Sequence, residues 1–159
     1  MAHLHVATVR WRRGDEVFTD RRYSRAHEWT FDGGVTVPAS ASPHVVRLPF
    51  SREDAVDPEE ALVAAAASCH MLTFLDFASR AGFRVDVYED AAEGKMGARP
   101  DGRIAILSIV LRPAITFSGE TRPDAATLAD LHHKSHEACF IANTLACEMV
   151  LEPAEPVFV

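Results

Sequence analysis

Cys69 and Cys139 are the residues of this 159-residue chain best suited to covalent chemistry. Cys69 lies in the apolar run Asp57-Pro58-Glu59-Glu60-Ala61-Leu62-Val63-Ala64-Ala65-Ala66-Ala67-Ser68-Cys69-His70, and Cys139 follows 70 residues later. A thiolate can attack an O–O bond and become a sulfenic acid, which a second thiol traps as a disulfide. A cysteine in an Ala-rich segment is, on composition alone, a small hydrophobe. The neighbours of Cys69 argue for more: Ser68 and His70 flank it, and Thr73, Asp76 and Arg80 follow at i+4, i+7 and i+11. Ionising the thiol requires a nearby cation or several donors. His70 projects about 100° away on a helix and is a poor source, so an arginine from the N-terminal strands is the better candidate. His132 and His136 have the spacing that puts two imidazoles on one metal, with His133 and Cys139 nearby. Lacking an obvious third ligand, they read as a solvated or capping face, and no metal or other cofactor is expected. Cys147 reads as core, and Trp11, Trp29, Phe74 and Phe77 read as packing residues, some of them pocket-lining.

Composition narrows the function classes. With 23 acidic and 16 basic side chains the net charge is −7, and no Lys/Arg block could track a phosphate backbone, which argues against nucleic acid. The apolar run from Ala61 to Leu75 stops at Asp76, short of the roughly 20 residues of a membrane span, and reads as a core helix. Met1-Ala2-His3-Leu4-His5-Val6 shows no secretory pattern, so the expected compartment is the cytoplasm. Three cysteines cannot all pair within one chain, and a disulfide in a reducing compartment would be transient and functional. The length suits a single domain over 1–159.

The elements that must position these residues are legible in outline. From His3 to Val37 β-formers alternate with charged residues, as in Val6-Ala7-Thr8-Val9-Arg10-Trp11 and His27-Glu28-Trp29-Thr30-Phe31, before a turn at Asp32-Gly33-Gly34. This predicts short antiparallel strands. Residues 38–56, with Pro38, Pro43 and Pro49, predict a surface loop. Asp57 as N-cap, Pro58 at the first helical position and two glutamates in the first turn then start a helix that runs to about Arg80 and stops at Ala81-Gly82. Its apolar residues fall on nearly every face, which predicts cover by a sheet and by something further, such as a dimer partner. Arg84–Ala98 and Arg103–Phe117, joined by the turn Arg99-Pro100-Asp101-Gly102, predict a hairpin. After Pro123-Asp124 a second helix carries Leu128, Leu131, Ser135 and Cys139, and Ala146–Glu152 predicts a closing strand. The order implies an α+β fold, with antiparallel sheets packed on two long helices.

The string Asp57-Pro58-Glu59-Glu60, Cys69 ten residues after Glu59, and Ser135-His136-Glu137-Ala138-Cys139-Phe140-Ile141-Ala142-Asn143 resemble the OsmC/Ohr family of thiol peroxidases over most of the chain. The resemblance implies that Cys69 is peroxidatic, Cys139 resolving, Glu59 the family's glutamate, and an N-terminal arginine the partner of Cys69. Tyr23-Ser24-Arg25-Ala26-His27 resembles a segment of an OsmC-like subgroup, which selects Arg25, with Arg47 and the Arg12-Arg13 pair as alternatives. Two positions depart from the organic-hydroperoxide branch: Cys139-Phe140-Ile141-Ala142 replaces Cys-Pro-Tyr-Ser, and His70 follows Cys69 where Phe is common.

Ten residues of helix rise roughly 15 Å, so Glu59 and Cys69 of one chain cannot meet if both lie on that helix. Antiparallel packing of two such helices through Ala64–Ala67 would bring Glu59 of one subunit toward Cys69 of the other. The resemblance implies an intertwined homodimer with two shared sites. It also implies reduction of organic hydroperoxides or hydrogen peroxide in oxidative-stress defence, with a dithiol or lipoylated protein as reductant. The alternatives are a redox-sensing or ligand-binding OsmC-like protein without efficient turnover, and a metal-binding stress protein using the histidines.

Overall fold

The computed structural model describes residues 2–159, which divide into two compact units, one ending at Ala61 and the other covering Leu62–Val159. The fold is α+β. In the N-terminal unit β1 (Ala7–Arg10), β2 (His27–Phe31) and β3 (Thr36–Ala39) form an antiparallel sheet in the order β1-β2-β3. The turn at Asp32-Gly33-Gly34 is present: Gly34 takes φ +83° and its N–H donates to the Phe31 carbonyl at 2.9 Å. The expected loop begins two residues late, because Pro38 lies inside β3. As an edge strand β3 tolerates a residue that cannot donate, and the Pro38 carbonyl accepts from the Val56 N–H at 3.0 Å. Ser40, Ser42 and Ser51 of the loop that follows are buried, with the Ser40 hydroxyl accepting from the Arg52 N–H at 3.0 Å.

Helix α1 (Pro58–Arg80) starts on a reciprocal capping box. The Glu60 N–H donates to the Asp57 carboxylate at 2.8 Å, and the Asp57 N–H donates to the Glu60 carboxylate at 2.7 Å. At its far end Phe83 N–H reaches the Ala78 carbonyl and Gly82 N–H the Ser79 carbonyl, both at 3.0 Å, with Gly82 at φ +82°. This is a Schellman stop, which needs a left-handed residue at that position. The helix is 23 residues long and apolar enough to cross a membrane by length and composition alone, longer than the Ala61–Leu75 run suggested. Its buried residues form one stripe, Ala66, His70, Phe74 and Ala78. On the other side Ala64, Ala65, Ser68 and Leu72 are exposed, so one chain covers only 22% of its most apolar window.

The expected long hairpin is broken in both arms. β4 (Arg84–Asp90) pairs with β7 (Pro113–Ser118), and β5 (Glu93–Ala98) pairs with β6 (Ile104–Leu111), in two different sheets. The break falls where the Arg112 N–H donates to the Asp90 side chain at 2.6 Å, a carboxylate taking the place of a ladder carbonyl. The Arg112 guanidinium also spans Glu93 at 2.9 Å and Glu152 at 3.0 Å. The sheets are mixed rather than wholly antiparallel: β8 (Glu148–Leu151) runs parallel to β6, and a short β9 (Val157–Phe158), absent from the sequence reading, runs parallel to β7. Helix α2 (Ala125–Ala138) is capped by Asp124, whose carboxylate accepts from the Thr127 N–H at 2.8 Å.

Two apolar clusters hold this C-terminal unit together. Phe74 and Ala78 of α1 meet Ile115 and Phe117 of β7 and Leu128 and Leu131 of α2. Ala66 of α1 meets Ile109 and Leu111 of β6. There the helix approaches the sheet so closely that a Cβ on Gly94 of β5 would stand 2.5 Å from Val63 Cγ2. The cap that starts α1 is separately testable. Asp57→Ala removes one half of the capping box and is expected to lower stability by about 1 kcal/mol, read as a reduced urea midpoint with an unchanged m-value.

Candidate functional site

Cys69 sits on α1 and Cys139 is the C-cap residue of α2, one position beyond the helix expected to contain it. The structure makes the two thiols near neighbours, close enough for Cys69 to raise the Cys139 thiol. Their exposures differ. Cys139 is wholly buried, whereas Cys69 is half-buried and open to a reagent. Burial, and secondarily the neighbouring Cys69, push the Cys139 thiol up, while amides of Ala142 and Ile141 pull it back, the Ala142 N–H lying 3.4 Å from Sγ. Both cysteines are reduced, as is the half-buried Cys147. Cys147 immediately precedes β8 and packs beside the Ala66 cluster, as a core residue would.

Helix α2 turns Leu128, Leu131, His132 and Ser135 inward, and Cys139 continues that face. Against it lies the buried stripe of α1. The pairs Cys69 with Cys139, His70 with His132, and Phe74 with His132 run in opposite senses along the two helices. The helices are thus antiparallel neighbours joined by side chains. His132, read from the sequence as a solvated or capping residue, is only 2% exposed, and His70 is 0% exposed. His70 Nε2 and His132 Nδ1 are 3.2 Å apart. Among the described residues no cluster of three metal-ligating side chains occurs. Four-residue spacing to His136 was the wrong signal, because His136 is exposed while His132 faces a residue 62 positions away.

Arg25 and Glu59 belong to the N-terminal unit. The Arg25 guanidinium lies 3.8 Å from the centroid of the Tyr23 ring and donates to the carbonyls of Tyr23 and of Arg21, the latter at 3.0 Å. Arg25 is half-buried, whereas Arg12, Arg13 and Arg47 are exposed. Beside Arg25 is a hollow of about 440 Å³ lined by Val9, Trp11, Phe18 and Tyr23. Its aromatic rings contact one another, Phe18 and Tyr23 with centroids 4.6 Å apart and Trp11 and Tyr23 at 5.4 Å. The Trp11 indole N–H is tied to the Ser24 carbonyl at 2.8 Å. Trp11 is therefore pocket-lining as well as packing. Among the described residues the buried Glu59 Oε2 has no hydrogen-bond partner, and no ion pair joins Glu59 to Arg25.

Comparison with known proteins gives the chain a family. The family model for OsmC-like proteins matches residues 51–153, more than half of the chain. The chain belongs to the OsmC-like family. An OsmC-like protein of unknown function from Vibrio cholerae O1 biovar eltor is 49% identical, with 96% of this chain and 100% of that one covered and a TM-score of 0.94. Two more distant structures share the OsmC-like fold. The organic hydroperoxide resistance protein OsmC of Legionella pneumophila is 17% identical, with coverage of 100% and 99% and a TM-score of 0.67. The organic hydroperoxide resistance protein OhrB of Bacillus subtilis is also 17% identical, with coverage of 96% and 98% and a TM-score of 0.66. A search of curated proteins gives no match.

The buried histidine pair of this OsmC-like chain has a pH signature. Burial holds both His70 and His132 down at about 4, with His136 adding to the effect on His70 and His70 to that on His132. An unfolded histidine titrates near 6.5, so the unfolded chain takes up protons first. The contribution of the pair is complete above about pH 6.5 and is lost as pH falls toward 4. The carboxyls of Asp54 and Asp124, held below 3.8, lose theirs only at lower pH. Urea midpoints are expected to fall between pH 7 and pH 4.5. The fall should be shallower in His70→Gln/His132→Asn, whose amides can bond without titrating. Equal slopes in the two proteins would refute the assignment.

Proposed function

We propose that this OsmC-like protein is a cysteine-based thiol peroxidase acting in oxidative-stress defence. The observation that carries this reading is the pairing of a half-buried Cys69 with a fully buried Cys139. Such an asymmetric pair suits a first thiol that meets the oxidant and a second that meets only the first. The Cys69 thiolate attacks the distal peroxide oxygen, the O–O bond breaks, and the leaving oxygen departs as an alcohol or water after taking a proton. Cys69 is left as a sulfenic acid. Cys139 then attacks the Cys69 sulfur, the S–O bond breaks, water leaves, and a disulfide remains. A dithiol or a lipoylated protein reopens it by two exchanges. No metal or cofactor takes part.

In this proposal Arg25 stabilises the Cys69 thiolate and the developing charge on the leaving oxygen, and Glu59 orients it. Partial burial of Arg25 favours it over Arg12, Arg13 and Arg47. The aromatic hollow beside it suits the apolar tail of an organic hydroperoxide. The unpaired Glu59 Oε2 and the uncovered face of α1 are both features that a second copy of the chain would satisfy. The working unit is accordingly an intertwined homodimer with shared sites, in the cytoplasm, engaging neither nucleic acid nor membrane. The names of the Legionella and Bacillus proteins support the substrate class.

Peroxide loss with dithiothreitol as reductant tests the proposal. Cys69→Ser is expected to abolish turnover. Cys139→Ser should complete one turnover and then accumulate Cys69 sulfinic acid, visible by mass spectrometry. Unchanged multi-turnover activity in Cys69→Ser would sink the mechanism. Reversible disulfide formation without steady-state turnover would favour a redox sensor instead.

A further inference from the structure

The His70–His132 contact is the one polar bond between side chains of the two helices that carry the thiols among the described residues. Its geometry is specific. The ring planes are 9° apart and the centroids 5.5 Å apart, which is the 3.2 Å N···N distance lengthened by one ring radius at each end. The imidazoles therefore lie edge to edge in one plane, with a lone pair of one facing the N–H of the other. Both are neutral near pH 7, because burial keeps each at about 4. The outer nitrogens, His70 Nδ1 and His132 Nε2, have no partner among the described residues. Each imidazole is thus anchored by a single polar bond, reinforced by Phe74, whose ring centroid is 4.5 Å from that of His132.

We propose that this in-plane histidine bond is a positioning device for disulfide formation between Cys69 and Cys139. His70 directly follows Cys69, and His132 lies two turns before Cys139 on the same face of α2. The bond fixes the register of α1 against α2 at the place where two sulfurs must come within bonding distance. Disulfide closure is sensitive to that register, because a misplacement of about 1 Å can cost on the order of 100-fold in rate. Of the titratable groups, the exposed His136 on α2 acts on His70 by its charge, and Tyr88 on β4 lies on the far side of Phe74, where Asp90 acts on it. The Ser135 hydroxyl is committed to the Leu131 carbonyl. Burial, followed by the charge of Asp90, raises Tyr88, so it carries no charge to the pair. Neither histidine touches the peroxide in this scheme, and both act through the thiols.

The inference rests on the proposed pairing of Cys69 with Cys139 but not on peroxide chemistry, so its test uses none. In the full-length Cys147→Ser protein, Cys69 is loaded with an aromatic disulfide reagent as a mixed disulfide with thionitrobenzoate. The Cys139 thiolate attacks the Cys69 sulfur, the mixed S–S bond breaks, and thionitrobenzoate leaves with the electron pair while the Cys139 proton goes to solvent. Release of the coloured thiolate reports closure. His132→Phe, which keeps the ring volume and loses the bond, is expected to slow closure at least tenfold. His132→Asn, whose amide reaches the Nδ1 position, should restore it to within a few fold. Closure in folded His132→Phe at the parent rate would overturn the proposal, and so would His132→Asn as slow as His132→Phe. Should His132→Phe not fold, imidazole nitrogen NMR of the unsubstituted chain decides. The His70 and His132 resonances are expected to move between dithiol and disulfide forms, and identical spectra would refute the coupling. Failure of peroxide turnover with normal closure kinetics would count against the enzyme and not against the positioning role.

Discussion

Close packing of α1 along one stripe is the constraint on which the C-terminal unit depends. Ala66, His70, Phe74 and Ala78 recur every fourth residue, and all are buried. Small residues at both ends let the helix sit close to β strands, and Gly94 shows how close: there is no room for a Cβ between β5 and Val63. Once that stripe is seated, Cys69 is placed beside it, turned partly toward α2 and partly toward the surface. The half exposure of Cys69 follows from its angular position next to the stripe. It did not require a special local conformation.

The same packing produces two kinds of buried polar group. Ser135 and Thr73 satisfy their hydroxyls on carbonyls one turn back in their own helices, at 2.6 and 2.9 Å, a local solution that any helix provides. The histidines have no such local outlet and find each other across the helix pair. An unpaired buried imidazole would lose on the order of 1–3 kcal/mol of solvation, so the pairing is a strong determinant of how α1 and α2 align. Burial also explains the electrical character of the site. Cys139 is pushed toward the thiol form and both histidines toward the neutral form, leaving the buried side of the dithiol without formal charge.

The opposite side of α1 raises a different demand. Leu72 is 61% exposed, and Ala64, Ala65 and Ser68 beside it offer a smooth apolar surface. Burial of such a surface is worth roughly 25 cal/mol per Å², a contribution the single chain leaves unused. Glu59, at the start of the same helix, presents a buried oxygen without a partner among the described residues.

The sequence by itself determined the elements whose signals are local. Asp57-Pro58 and Ala81-Gly82 delimit α1, Pro123-Asp124 starts α2, and Arg99-Pro100-Asp101-Gly102 turns the β5–β6 hairpin, because caps and turns involve neighbours a few residues apart. The motif spacing of Glu59, Cys69 and Cys139 was enough to reach the OsmC-like family. Only the tertiary structure decided the rest. The hairpin breaks because Asp90 binds an amide 22 residues away, the parallel strands β8 and β9 find their edges across the whole unit, and His70 meets His132 across 62 residues. These pairings depend on which faces become buried together. That is a property of the packed chain, and no window of the sequence encodes it.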